Sequence, residues 1–235
     1  MPAASAAAAA VEAVFREQWG RITASLIAMT GDWDLAEECA QEAFTRAPGE
    51  PETAGLLALM LLNDSRRAAR TDASGVPAPL SEQDRTRWDR DAVDEGLGLL
   101  AAAADREQPG PYLLQAEIAA CHASAARPED TDWAAIARLY AQLATLLPSP
   151  VVELNRAVAV GMAEGPAAGL AIADDLVARG ELPGYHLLPA VRADFLRRLG
   201  RPAEAADDYR TAIELAGTDS ERRYLESRLA EVSDG

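Results

Sequence analysis

Lysine is absent from this chain of 235 residues; all 22 of its cations are arginine, set against 38 carboxylates. Without lysine there is no Schiff-base amine and no phosphate-cradling P-loop lysine, and neither G-x-G-x-x-G nor G-x-x-x-x-G-K-[ST] occurs. Cysteine is nearly absent too. Cys39 and Cys121 stand outside any C-x-x-C or C-x-x-H spacing, which argues against a disulfide framework or a zinc site and for reduced thiols. His122 and His186 have no third ligand at metal spacing. Ser124 and Ser149 have no nucleophile elbow around them. No catalytic residue, no metal and no cofactor is expected.

Long hydrophobic runs are lacking as well: the strongest, residues 56–62, is far too short to span a bilayer. The opening "MPAASAAAAA" has no basic n-region and reads as a frayed tail over residues 1–10. These features predict a cytoplasmic protein with no membrane partner. The formal charge of −16 leaves nucleic-acid binding dependent on a local basic patch.

Alanine and leucine dominate the 49% of residues that are apolar, while aromatics make up only 5%. Such a composition suits closely packed helices and predicts an all-α fold. Apolar spacing, prolines and caps predict the elements. One helical hairpin covers residues 11–47. Pro51 opens a helix running to about Thr71, and Ser81 with Asp84 forms a capping box for one reaching Ala104. Pro111 opens the next, Thr131 caps another, and Ser149 with Pro150 caps and starts the one after. Pro166, Pro189 and Pro202 fall in later first turns, and Asp219 or Ser220 caps the last helix.

From about Gly110 a 36-residue period emerges. It places Arg156-Ala157 on Arg192-Ala193, and Pro166-Ala167 on Pro202-Ala203. The stretch "ADFLRRLGRPAEAADDYRTAIELAG" fits a tetratricopeptide-like helical hairpin, with Ala157, Ala193, Gly200, Ala205, Tyr209 and Ala212 as packing positions. The expected organisation is a helical-hairpin repeat stack over 110–235. Residues 48–109 would cap its N-terminal end.

Residues 11–46 resemble the opening of an extracytoplasmic-function RNA polymerase sigma factor, through Ala36, Glu37, Glu38, Gln41, Glu42 and Phe44. Residues 49–232 resemble the tetratricopeptide-like C-terminal extension of one sigma-factor subgroup. The segments that carry this are "GLLALMLLNDSRRAAR", "SEQDRTRWDR", "GPYLLQAEIAACHA", "TDWAAIARLY", "PSPVVELNRAVAV" and "YHLLPAVRADFLRRLGR". Between the blocks such a factor carries the rest of its second domain and a promoter-reading fourth domain. Here Ala47 runs directly into Pro48. Within 11–46 three arginines face seven carboxylates, and no basic stripe or stacking platform is left for DNA.

The resemblance implies that the acidic face of Asp34, Glu37, Glu38, Gln41 and Glu42 docks on the clamp of core RNA polymerase; read from residues alone, it is a solvated helix face with dipole-favoured acids. Arg66, Arg67 and Arg70, with Asp84, Arg85, Arg87, Trp88 and Asp89, form the extension's most distinctive clusters. They read either as a surface for the sigma core or a partner, or as an ion-pair network holding the capping helices. The stripe of the N-terminal hairpin is expected to be covered by the stack or by a homodimer contact. The resulting expectation is a regulator of the sigma-factor family without promoter recognition of its own. The alternative is a free-standing tetratricopeptide-like interaction adaptor.

Overall fold

A computed structural model describes residues 51–71, 78–80, 82–103 and 109–233. The hairpin 11–47, its candidates Asp34, Glu37, Glu38, Gln41 and Glu42, and the tail 1–10 lie outside these residues. Among the described residues all regular structure is helical. The α-helices are α1 (Pro51–Asp64), α2 (Arg90–Ala103), α3 (Pro111–Ser124), α4 (Trp133–Leu146), α5 (Pro150–Ala163), α6 (Pro166–Ala178), α7 (Leu187–Arg198), α8 (Pro202–Leu215) and α9 (Asp219–Ser233). No helix among the described residues is long and apolar enough to cross a membrane.

Two compact units result. In the first, α1 packs on α2 and α3, and the division falls after Ala126. Thus α3 groups with α1 and α2 in the first unit, whereas the sequence placed it at the head of the repeats. Close approach explains this grouping. A Cβ on Gly55 would stand 2.7 Å from the Leu113 backbone. At the start of α3, Gly110 offers no side-chain cap. The Glu52 carboxylate takes that role from α1, accepting the Tyr112 and Leu113 N–H groups at 2.9 and 3.2 Å.

Several boundaries differ from expectation, each for a local reason. Helix α1 stops at Asp64, where the side chains of Asn63 and Ser65 bond backbone carbonyls of the last turns. Ser65 Oγ donates to Leu62 O at 2.8 Å, and the Ser65 carbonyl accepts the Asp89 N–H at 2.9 Å. Asp84 caps only a 3-10 turn, Arg85–Arg87. The N-terminus of α2 is served instead by Asp89, whose Oδ1 accepts the Ala92 N–H at 3.1 Å. Asp132 caps α4 in place of Thr131, and Ser149 occupies its cap position without a side-chain bond. At α9 the capping box is Thr218 with Glu221: Thr218 N–H donates to Glu221 Oε2, and Glu221 N–H to Thr218 Oγ1.

The second unit is a run of helical hairpins, α5 with α6 and α7 with α8, preceded by α4 and followed by α9. Pro150, Pro166 and Pro202 each take the first helical position, where a missing N–H costs nothing. Helix α7 closes at Gly200 (φ 70), with Gly200 N–H bonded to Arg197 O and Arg201 N–H to Leu196 O. That pairing satisfies two terminal carbonyls in a Schellman motif. Ala157, Ala193, Ala205 and Ala212 are fully buried, and Tyr209 is 2% exposed. These small residues let the helices approach while the phenol ring fills the gap. Leu225 and Val232 of α9 complete the same core.

Candidate functional site

Of the arginine–aspartate candidates, the first unit gathers Arg66, Arg67, Asp84, Arg85, Arg87, Trp88 and Asp89. Arg70 falls in the second unit, exposed, with its carbonyl accepting the Ala78 N–H at 2.8 Å. Arg85 is the centre of the group. Although charged, it is only 7% exposed, and its guanidinium lies 4.8 Å from the Trp88 ring centroid. One terminal nitrogen donates to both His122 O and Ala125 O at 2.6 Å. Those carbonyls end α3 and have no partner within the helix, so a cation there is doubly favoured, by hydrogen bonding and by the helix dipole. Trp88 is 3% exposed. Arg85 and Trp88 are therefore inside the unit and clamp the α3 terminus. Arg67, Asp84, Arg87 and Asp89 remain at the surface or near it.

Individual members are already engaged. Arg67 pairs with Asp64 at 2.7 Å, and Arg66 donates to Asn63 Oδ1 at 2.6 Å. Asp84 accepts the Thr86 hydroxyl and N–H, which lower its pKa. Apart from the Arg85 bonds to the end of α3, these contacts join residues two or three apart in the chain.

His122 sits beneath the same arginines. Burial, with Arg66 and Arg85 adding repulsion, lowers its pKa to about 4. The unfolded chain takes up a proton near pH 6.5 that the folded chain refuses until about pH 4. Stability should therefore fall as pH drops through this window, by about 2 kcal/mol once partial exposure is discounted. Urea unfolding of the parent and His122→Leu at pH 7 and pH 4.5 checks this: the parent should lose more stability than the variant, and parallel losses would contradict the assignment.

In the second unit the 36-residue register extends one step beyond Arg156 and Arg192, to Arg228 on α9. The sequence reading stopped at the first pair, and a second shift of the same length would have found the third. Arg156 is bidentate to Glu153 at 2.8 and 2.5 Å, which lowers the pKa of that carboxyl. Arg192 reaches both neighbouring helices, at 2.8 Å to Asp174 on α6 and 2.9 Å to Asp208 on α8. Even so, burial pushes the Asp208 carboxyl up, with Asp174, Asp207 and Glu204 adding to the rise against Arg192. Arg228 meets Asp194 at 3.3 Å and Glu231 at 2.7 Å. Burial also raises the pKa of the adjoining Tyr209 phenol.

Among the exposed large hydrophobics of the second unit, which also include Leu146, Leu147, Val177 and Leu215, three lie on α5 and α7. Val151 and Leu187 stand at equivalent positions one repeat apart, 38% and 42% exposed, and Met162 is 44% exposed. Arg198 ties two of the helices together, donating to Gly161 O at 3.3 Å and approaching Met162 S at 3.4 Å. Among the described residues, no group of three or more His, Cys, Asp or Glu is placed to hold a metal.

Residues 4–104 match a family of unknown function (DUF6596). An uncharacterized protein of Rhizobium meliloti (strain 1021) is 48% identical over 182 residues, which is 77% of this chain and 43% of that protein. The chain thus spans less than half the length of this curated relative. No solved structure matches it.

Proposed function

We propose that this chain is a non-catalytic transcription regulator of the sigma-factor family that acts through protein contacts. Its helical repeats serve as the interaction module, and Asp34, Glu37, Glu38, Gln41 and Glu42 meet core RNA polymerase. The interaction reading is carried by the exposed apolar positions that recur on successive repeat helices, Val151 on α5 and Leu187 on α7. An unpartnered apolar face on a repeat stack is the usual form of a protein-binding surface. The polymerase reading rests on the signature from Ala36 to Phe44 and on the ordered extension segments that follow. The family match over 4–104 crosses the Ala47–Pro48 junction, which supports treating both blocks as parts of one protein.

Capture experiments test this. The full chain should retain the polymerase clamp fragment, and a Glu37→Ala, Glu38→Ala, Gln41→Ala variant should lose at least about tenfold in capture, because several charge-assisted contacts go at once. Promoter DNA should not be retained specifically, with or without core enzyme. Equal clamp capture by parent and variant would refute the polymerase role. No clamp capture at all would leave the adaptor reading, in which the repeats alone carry the function.

A further inference from the structure

The charge of the second unit is unevenly divided between its helices. Helix α7 carries three arginines, Arg192, Arg197 and Arg198, against a single carboxylate, Asp194. Its neighbours are the reverse: α6 has two aspartates and no cation, and α8 has four acids against one arginine. In a chain of net charge −16, α7 is a local cationic ridge.

The α7 arginines differ in how their charge is met. Arg192 is held between Asp174 and Asp208, and Arg197 lies 2.6 Å from Asp194. Asp194 is also approached by Arg228 at 3.3 Å. Arg198 is left with Asp194 at 4.0 Å; its shorter contacts are to uncharged acceptors, the Gly161 carbonyl and the Met162 sulfur. It stacks 6.0 Å from the Phe195 ring centroid, so its guanidinium is already oriented. A positioned cation with little opposing charge is a receptor for a carboxylate.

The surroundings of Arg198 are apolar and open. Met162 touches it, Val151 lies on the same stripe of α5, and Leu187 begins α7 on the equivalent stripe. One repeat further, exposed Arg223 takes the register position of Leu187 on α9, a helix whose four acids outnumber its three arginines. We propose that this face of α5, α7 and α9 binds an acidic segment of a partner protein, with apolar side chains seated on Val151, Met162 and Leu187 and a carboxylate on Arg198. This inference rests on the interaction-module reading above and names the chemistry of its ligand. Charge complementarity selects the occupant: the acidic neighbouring helices repel such a segment, so it is confined to the ridge.

The test uses the full chain and three fluorescein-labelled dodecapeptides, repeating Leu-Glu-Glu, Leu-Arg-Arg or Ser-Glu-Glu, with oligo-dT of equal length as a polyanion control. Fluorescence anisotropy should show Leu-Glu-Glu binding at least about tenfold tighter than the other three probes. Arg198→Glu and Met162→Glu should each weaken it about tenfold, while Arg210→Glu, on α8, should leave it within about twofold. Leu187→Gln provides an independent check if either charged variant fails to fold by circular dichroism. Equal affinity for Leu-Glu-Glu and Leu-Arg-Arg, equally tight oligo-dT binding, or binding insensitive to both face variants would overturn the proposal. Peptide binding that survives a failure of clamp capture would sink the polymerase reading alone. Clamp capture without peptide selectivity would sink only this inference.

Discussion

Arg85→Leu should cost the first unit about 3 kcal/mol, although leucine is a better hydrophobe and the site is buried. Arg85 supplies both bonds to the carbonyls of His122 and Ala125, each 2.6 Å long. A charged donor to a buried acceptor contributes about 1.5–3 kcal/mol, and a carbonyl stripped of its partner keeps its desolvation cost. Contact with the Trp88 face is lost as well, adding about 0.5–1 kcal/mol. Both bonds come from a single terminal nitrogen, so Arg85→Lys, whose ammonium also carries several donors, should recover part of the loss while forfeiting the planar stacking on Trp88. Urea denaturation measures both variants, and a loss below about 1 kcal/mol for leucine would show that the α3 terminus is satisfied in another way.

Gly169→Ala should be as damaging, against the usual preference of helices for alanine. In an exposed helix interior that replacement stabilises by about 1 kcal/mol. At Gly169 the new Cβ would stand 2.5 Å from the Phe195 ring, 2.7 Å from the Ala157 carbonyl oxygen and 2.8 Å from the Gly161 Cα. Two of these three are backbone atoms, so no rotamer change relieves the clash, and α6 must move away from α5. The expected cost is about 2–3 kcal/mol, or roughly 5–10 °C in Tm. Gly98 of α2 is the matched control: it is exposed and a Cβ there meets nothing within 4 Å. Gly98→Ala should stabilise by about 0.5–1 kcal/mol. If both variants shift in the same direction by thermal melting, close packing at Gly169 is not the controlling term.

The helical class and much of the repeat register were legible because they rest on local signals. Pro150, Pro166 and Pro202 mark first turns by their missing N–H. Ala157, Ala193, Ala205, Tyr209 and Ala212 follow a period that can be read off the chain. Legibility fails where a bond joins distant residues. The end of α1 and the beginning of α2 depend on Asp89 N–H reaching Ser65 O, and no window of sequence contains both. The burial of Arg85 was hidden for the same reason. Its partners belong to α3, and "SEQDRTRWDRD" alone looks like an alternating surface segment. Glu52 capping the start of α3 is a third instance, since an acid in a first turn ordinarily serves its own helix. Of the candidates in this cluster only Arg85 and Trp88 are buried, and their surroundings make them an internal clamp on the end of α3.

The double reach of Arg192, to Asp174 behind it and Asp208 ahead, makes one side chain a rivet between successive hairpins. A stack joined only by apolar contact can peel from its end one hairpin at a time. With the rivet in place, prising α8 loose also breaks the Arg192–Asp208 pair, which couples the opening of the last hairpin to a side chain that the preceding one shares.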